Sequence, residues 1–185
     1  MDVHAVSVIS DSPWNIDEWQ ILIRLLSAAV LGGLVGLERE QSQHAAGLRT
    51  HIMVCLGSCL MMLLSIYGFA AFVYEMNVRV DPARLAAAVI TGIGFLGAGT
   101  ILQTGRSVIG LTTAASIWVT AAIGLGVGAG FYFAAAVSTL LVLFVLWALN
   151  KLEQKLFRRK SERLIVLNVD DRPGLMQKLR ETVER

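Results

Sequence analysis

Five long apolar stretches follow one another along the chain and are separated by short polar turns. They cover residues 19–37, 52–73, 85–102, 111–129 and 131–149. Each approaches the roughly 20 apolar residues that an α-helix needs to cross a bilayer. Because the turns are short, neighbouring helices must run antiparallel. The pattern predicts an all-α membrane protein with five transmembrane helices in the domain 1–150.

Charged residues are concentrated at the end of the chain. Only 16% of the 185 residues are charged and 55% are hydrophobic, whereas about 25% charged residues is usual for a soluble domain. Sixteen of the 30 charged side chains fall within residues 151–185, and Arg106 is the single charge between 85 and 149. This composition excludes a disordered chain and argues against a water-soluble globule. The net charge of +2 gives no indication of nucleic-acid binding.

The positions of Lys and Arg predict the orientation. One side of the predicted bundle collects Arg39, Arg49, Arg106 and the basic residues of the tail, and the other collects Arg79 and Arg84. Cytoplasmic loops carry the excess of basic residues, so we expect the N-terminus outside and the C-terminus in the cytoplasm. Arg24, within the first apolar stretch, is expected to snorkel outward.

Small residues are frequent in the apolar stretches and indicate close helix packing. The candidates are Gly32, Gly36, Gly92, Gly94, Gly97, Gly99, Gly110 and Thr113. The segment 92–97 also matches GxGxxG, but no strand precedes it and the next acidic residue is Glu153, so a dinucleotide site is not expected. Helix packing is the favoured interpretation, and a kinked helix that lines a cavity is the alternative.

The most polar part of the membrane domain follows the first apolar stretch. Glu38, Arg39, Arg49, Thr50 and Arg106 are predicted to form a polar cytoplasmic cluster that serves as an interaction surface. Glu38 and Arg49, at the ends of adjacent antiparallel helices, are candidates for a charge-assisted pair. The plain alternative is that these residues only set the topology and anchor lipid headgroups.

No Asp or Glu lies inside a predicted span, although moving a hard cation such as Mg²⁺ calls for oxygen ligands at membrane depth. The chain also lacks the phosphate-binding motif GxxxxGK[ST]. We therefore predict no catalytic residue, no metal site and no cofactor.

The polar tail divides into two predicted parts. Residues 151–163 form a basic amphipathic linker helix at the membrane surface. Residues 164–169 are predicted as a strand, 170–174 as a turn and 175–184 as a helix. One strand and one helix cannot close a core, so we expect either a truncated α+β domain or a fragment that packs on something else.

Four motifs occur in order along the membrane domain: GGLVGLERE at 32–40, AGLRT at 46–50, GIGFLGAGTI at 92–101 and GLTTAASIW at 110–118. With these motifs the chain resembles the MgtC/SapB family of bacterial inner-membrane proteins. The resemblance implies that residues 164–185 are the truncated start of an ACT-like domain. Virulence-associated members carry an Asn and a Cys where this sequence has Ser107 and Val119, so a virulence role does not follow directly.

The resemblance implies a non-enzymatic, multi-pass regulatory protein of the bacterial inner membrane, linked to growth or survival under magnesium limitation or related stress. It would act by binding another membrane protein, with the ATP synthase or a magnesium transporter as the partners that the family suggests. The glycines add the expectation of a homodimer. A channel or carrier for an ion or small solute is the alternative function, and a third is a sensor whose ACT-like tail binds a small ligand.

Overall fold

A computed structural model of the chain describes residues 14–105 and 107–156. The predicted strand, turn and helix between 164 and 184 lie outside the described residues. Residues up to Lys151 form one compact unit. Of the second unit, which begins at Leu152, only the last part of a helix is described.

The described residues form five α-helices and one small hairpin. The elements are α1 (Glu18–Gln41), α2 (Leu48–Tyr67), a 3-10 turn (Ala70–Phe72), α3 (Ala83–Gly99), β1 (Leu102–Thr104), β2 (Ser107–Ile109), α4 (Leu111–Gly128) and α5 (Tyr132–Leu156). Four helices are long and apolar enough to cross a membrane, whereas α3 is apolar but has only 17 residues. The chain is therefore a mostly helical membrane protein with four or five candidate spans.

The centre of the bundle is formed by α1, α2 and α4. In the most apolar segment of α4 half of the residues are buried, whereas in that of α5 only 17% are. The helix α5 therefore lies at the periphery. The main core cluster includes Ala28 of α1, Cys55 and Cys59 of α2, and Val127 of α4. Both cysteines are free and buried.

Glycines allow α2 to lie close to the helices on both sides of it. A Cβ added at Gly32 of α1 would lie 2.6 Å from the Cys55 Cβ, and one added at Gly128 of α4 would lie 2.6 Å from the Cys59 carbonyl oxygen. A Cβ at Gly124 would overlap the Cys55 carbonyl oxygen. Close backbone approach through small residues is the usual packing of membrane helices.

The hairpin between α3 and α4 was not predicted from the sequence. The third apolar stretch was expected to run to Leu102, but α3 ends at Gly99 and Leu102 pairs with Ile109 in an antiparallel ladder. Gly105 turns the hairpin with φ +62°, and Gly110 precedes α4 with φ +91°. Both conformations favour glycine, which has no Cβ. The helix α3 is continuous through residues 92–97, so the GxGxxG segment is helical and not interrupted.

The expectation that Arg24 snorkels outward is wrong. Its side chain is 9% exposed, Nη1 donates a hydrogen bond to the Gly128 carbonyl at 2.7 Å, and the guanidinium lies 5.3 Å from the centre of the Tyr67 ring. The last carbonyls of a helix have no partner within the helix and carry partial negative charge. Arg24 of α1 therefore caps the C-terminus of α4.

Candidate functional site: a buried polar cluster

Polar side chains converge at the end of the bundle where α1 ends and α2 and α4 begin. We name this the turn end, after the α1–α2 turn at residues 42–47. Seven residues on four helices or their caps form what we name the polar cluster: Glu38, Arg39, Ser42, His51, Thr113, Ser116 and Asn150. Ionisable side chains buried between membrane helices are costly and commonly functional.

Arg39 and Glu38 form the charged half of the polar cluster. Arg39 is 1% exposed, and its Nε donates to Glu38 Oε2 at 2.5 Å. Glu38 Oε1 accepts hydrogen bonds from the Ser42 hydroxyl at 3.1 Å and from Asn150 Nδ2 at 3.3 Å. The carboxylate thus offsets the guanidinium charge and links the end of α1 to α5. Arg39 Nη1 is buried and has no hydrogen-bond partner among the described residues.

His51 and Ser116 form the neutral half and connect α2 to α4. The imidazole is fully buried, with Nδ1 2.9 Å from the Gly47 carbonyl oxygen and Nε2 3.0 Å from Ser116 Oγ. Ser116 Oγ also lies 2.9 Å from the Thr113 carbonyl oxygen. Because a carbonyl oxygen can only accept, Nδ1 must carry a proton.

The direction of the hydrogen bond between His51 Nε2 and Ser116 Oγ depends on the charge of the imidazole. In a neutral ring, Nε2 accepts from the Ser116 hydroxyl, which then cannot donate to Thr113. In a protonated ring, Nε2 donates to Ser116 and the hydroxyl turns to the Thr113 carbonyl. A hydrogen bond between His51 and Ser116 is therefore possible in either protonation state.

Glu40 fixes the turn that leads into the polar cluster. Its Oε2 accepts the Leu48 N–H at 2.9 Å and so satisfies one of the free donors at the start of α2. A Cβ added at Gly47 would overlap this carboxylate. The cap on α2 therefore comes from α1, and a side chain at position 47 would have to displace the Glu40 carboxylate.

The structure divides the residues predicted for the polar cytoplasmic cluster. Glu38 and Arg39 lie together, whereas Arg49 and Thr50 are exposed on the first turn of α2. The expected pair between Glu38 and Arg49 is not formed among the described residues, because Glu38 binds Arg39, Ser42 and Asn150. Arg106 lies outside the described residues.

The residues predicted for helix packing or a cavity also divide into groups. Gly32 and Gly36 lie against α2, and a Cβ at Gly97 would make an ordinary 3.5 Å contact with Ala114. Around Gly92, Gly94 and Gly99, an added Cβ would meet no atom of residues 14–105 or 107–156 within 4 Å. Gly110 is the N-cap of α4, and the carbonyl of the buried Thr113 accepts from Ser116.

Asn150 was missed by the sequence reasoning. Ser42 and His51 belong to the polar stretch after the first apolar segment but were not included among the predicted interaction residues. Ser116 was also not among the predicted site residues. A signal was available, because His51 and Ser116 are polar residues within or beside apolar stretches. Among the described residues, no group of three or more His, Cys, Asp or Glu could hold a metal ion.

Comparison with known proteins gives three informative relatives. The chain is 44% identical over 148 residues to YhiD of Escherichia coli K12, whose name marks it as a candidate magnesium transporter; the match covers 80% of this chain and 69% of YhiD. It is 38% identical over 177 residues to SapB of Bacillus subtilis, covering 93% and 75% of the two chains. It is 41% identical over 132 residues to MgtC of Brucella abortus, covering 71% and 52%.

No solved structure shows a significant match to the chain. The model of the MgtC family matches residues 25–155, which include α1 from its second turn, the whole polar cluster and nearly all of α5. The resemblance found in the four motifs is thereby confirmed: this membrane protein belongs to the MgtC family.

Proposed function

We propose that this chain is a non-enzymatic regulatory protein of the bacterial inner membrane that acts by binding another membrane protein. Family membership supports a link to magnesium limitation or related stress. The distribution of Lys and Arg supports a cytoplasmic turn end. The observation that carries the binding role is the uncovered surface of α3.

Gly92 and Gly99 of α3 are seven residues apart and share one helix face with Phe95, which is 82% exposed. We name this surface the α3 face. Glycine in a helix costs about 1 kcal/mol relative to alanine. In α1 and α4 close packing compensates for this cost, because Gly32, Gly36, Gly124 and Gly128 all lie against α2.

The glycines of the α3 face make no such packing contact within the described part of the chain, since a Cβ added at Gly92 or Gly99 would meet no atom of it within 4 Å. Because these glycines have no side chains, the backbone of another helix can approach closely. Such close approach is the main source of packing between helices in lipid. A partner helix on the α3 face would therefore explain glycines that the isolated bundle does not require.

Photo-crosslinking in cells tests this proposal. Benzoylphenylalanine in place of Phe95 should give a discrete adduct with another membrane protein, because the ring would lie within the interface. The matched control is Leu140 of α5, which is 66% exposed and should give only lipid adducts. Equal adduct patterns at both positions would contradict the proposal, and adducts of twice the chain's mass alone would identify a homodimer.

A channel or carrier is the second candidate, and the polar cluster favours it. Glu38, Arg39 and His51 are ionisable groups buried or half-buried between helices, as occurs along ion pathways. The name of the Escherichia coli relative points the same way. Magnesium flux into vesicles that contain only the purified chain, abolished by Glu38→Gln and His51→Gln, would favour this function over the regulatory one.

A further inference from the structure

A wedge-shaped cleft separates α4 from α5 in the half of the bundle nearest the turn end. Its volume is about 510 Å³, within the range typical of ligand sites. Five residues of α4 between Leu111 and Val119 form one wall, and five residues of α5 between Leu141 and Leu149 form the other. All are apolar except Thr112 and Ser116.

The cleft narrows away from the turn end, where α4 and α5 meet. The Phe131 N–H donates to the Gly126 carbonyl at 2.9 Å, and a Cβ at Gly126 would lie 3.8 Å from the Ala135 Cβ. The nine residues from Leu111 to Val119 span about 12 Å of helix, less than half of a hydrocarbon core of about 30 Å. A partner helix would need a longer groove, whereas a flexible apolar chain entering from one leaflet fits this taper.

The wide end of the cleft is suited to negative charge. The N-cap of α4 is Gly110, which has no side chain to satisfy the free N–H groups of the first turn, and no acidic residue lies in that turn. The N-terminus of a helix attracts anions through these groups and through the helix dipole.

A cation lies at the same end of the bundle. Lys151 of α5 has its ammonium 5.0 Å from the centre of the Trp147 ring, an arrangement typical of headgroup level.

We propose that the cleft between α4 and α5 binds one acyl chain of an anionic phospholipid from the leaflet on the turn-end side, with the phosphate at the N-terminus of α4. The lipid is the natural occupant because the cleft opens to the bilayer, is one leaflet deep and has a positive mouth. Ser116 lies on its wall and bonds to His51, so a bound acyl chain contacts the polar cluster. This site is separate from the α3 face.

Photolabelling of the full chain in vesicles tests the lipid site. Phosphatidylglycerol with a diazirine on its acyl chain should label residues 111–119 and 141–149 more strongly than the exposed parts of α3. A phosphatidylcholine probe of the same design should label the cleft less, because it lacks net negative charge. Uniform labelling of all exposed helix faces, or equal labelling of the cleft by both probes, would overturn the proposal.

Matched variants separate the cleft from general contact with lipid. Ala115→Phe places a ring in the cleft and should abolish its labelling, whereas Ala87→Phe, on an exposed position of α3, should leave it unchanged. If Ala115→Phe does not fold, Val145→Trp fills the cleft from the other wall. Benzoylphenylalanine at Val145 should capture lipid; capture of residues 157–185 or of a second copy of the chain would overturn the proposal.

Discussion

At the scale of single residues, burial and hydrogen bonding identify the members of the polar cluster, which position in the sequence alone did not. Glu38 and Arg39 were predicted as members of a polar cluster because charge at the edge of an apolar stretch is conspicuous. Asn150 was missed, and Ser42 and His51 were left out of the predicted interaction residues, because the roles of these side chains depend on their partners, which lie 65 or more residues away for His51 and Asn150. Such contacts depend on which helices are neighbours, and periodicity does not report this.

The bond between His51 and Ser116 leads to a prediction about stability. In Ser116→Ala, the buried Nε2 of His51 loses its partner, and we expect the free energy of unfolding to fall by about 1–2 kcal/mol. The matched control is Thr91→Ala, which removes an exposed hydroxyl bonded to the Ala87 carbonyl and should have little effect. Thermal unfolding in detergent measures both, and equal shifts would contradict the assigned role of Ser116.

At the scale of elements, five helices were predicted from hydrophobic length, which the bilayer thickness dictates. Four of the described helices have that length, and α3, with 17 residues, falls short of it. The hairpin was not predictable because strands of three residues are too short to show alternation, and the apolar stretch continues past the end of α3. The expectation that the glycines pack helices could not distinguish those facing α2 from those facing outward. Only the arrangement of helices separates the two groups.

Two alanine substitutions should have opposite effects at this scale. Gly124→Ala places a Cβ onto the Cys55 carbonyl and should destabilise the bundle by about 1–3 kcal/mol. Gly92→Ala meets no atom and should stabilise α3 by up to about 1 kcal/mol. Unfolding of the two purified variants beside the parent chain measures the sign of each change in the free energy of unfolding. Changes of the same sign would show that α3 packs differently from the structure described.

At the scale of the whole molecule, the prediction concerns orientation. A fluorescent protein fused after Arg185 should fold in the cytoplasm, and alkaline phosphatase inserted after Met76, which is 90% exposed in the α2–α3 loop, should be active outside. The physical reason is the excess of Lys and Arg at the turn end and in the tail. An active phosphatase after Arg185 together with an inactive one after Met76 would reverse the proposed topology.

The contact between Arg24 and Gly128 has a consequence for biosynthesis. Arg24 enters the membrane with α1, but its carbonyl acceptor is translated 104 residues later. At roughly 5–20 residues per second, the guanidinium waits about 5–20 s for this acceptor. During that interval the Arg24 guanidinium in the nascent chain lacks its carbonyl acceptor. Only when α4 is complete can α1 take its final packed position. Premature termination before α4 would therefore leave α1 as an exposed target for membrane quality control.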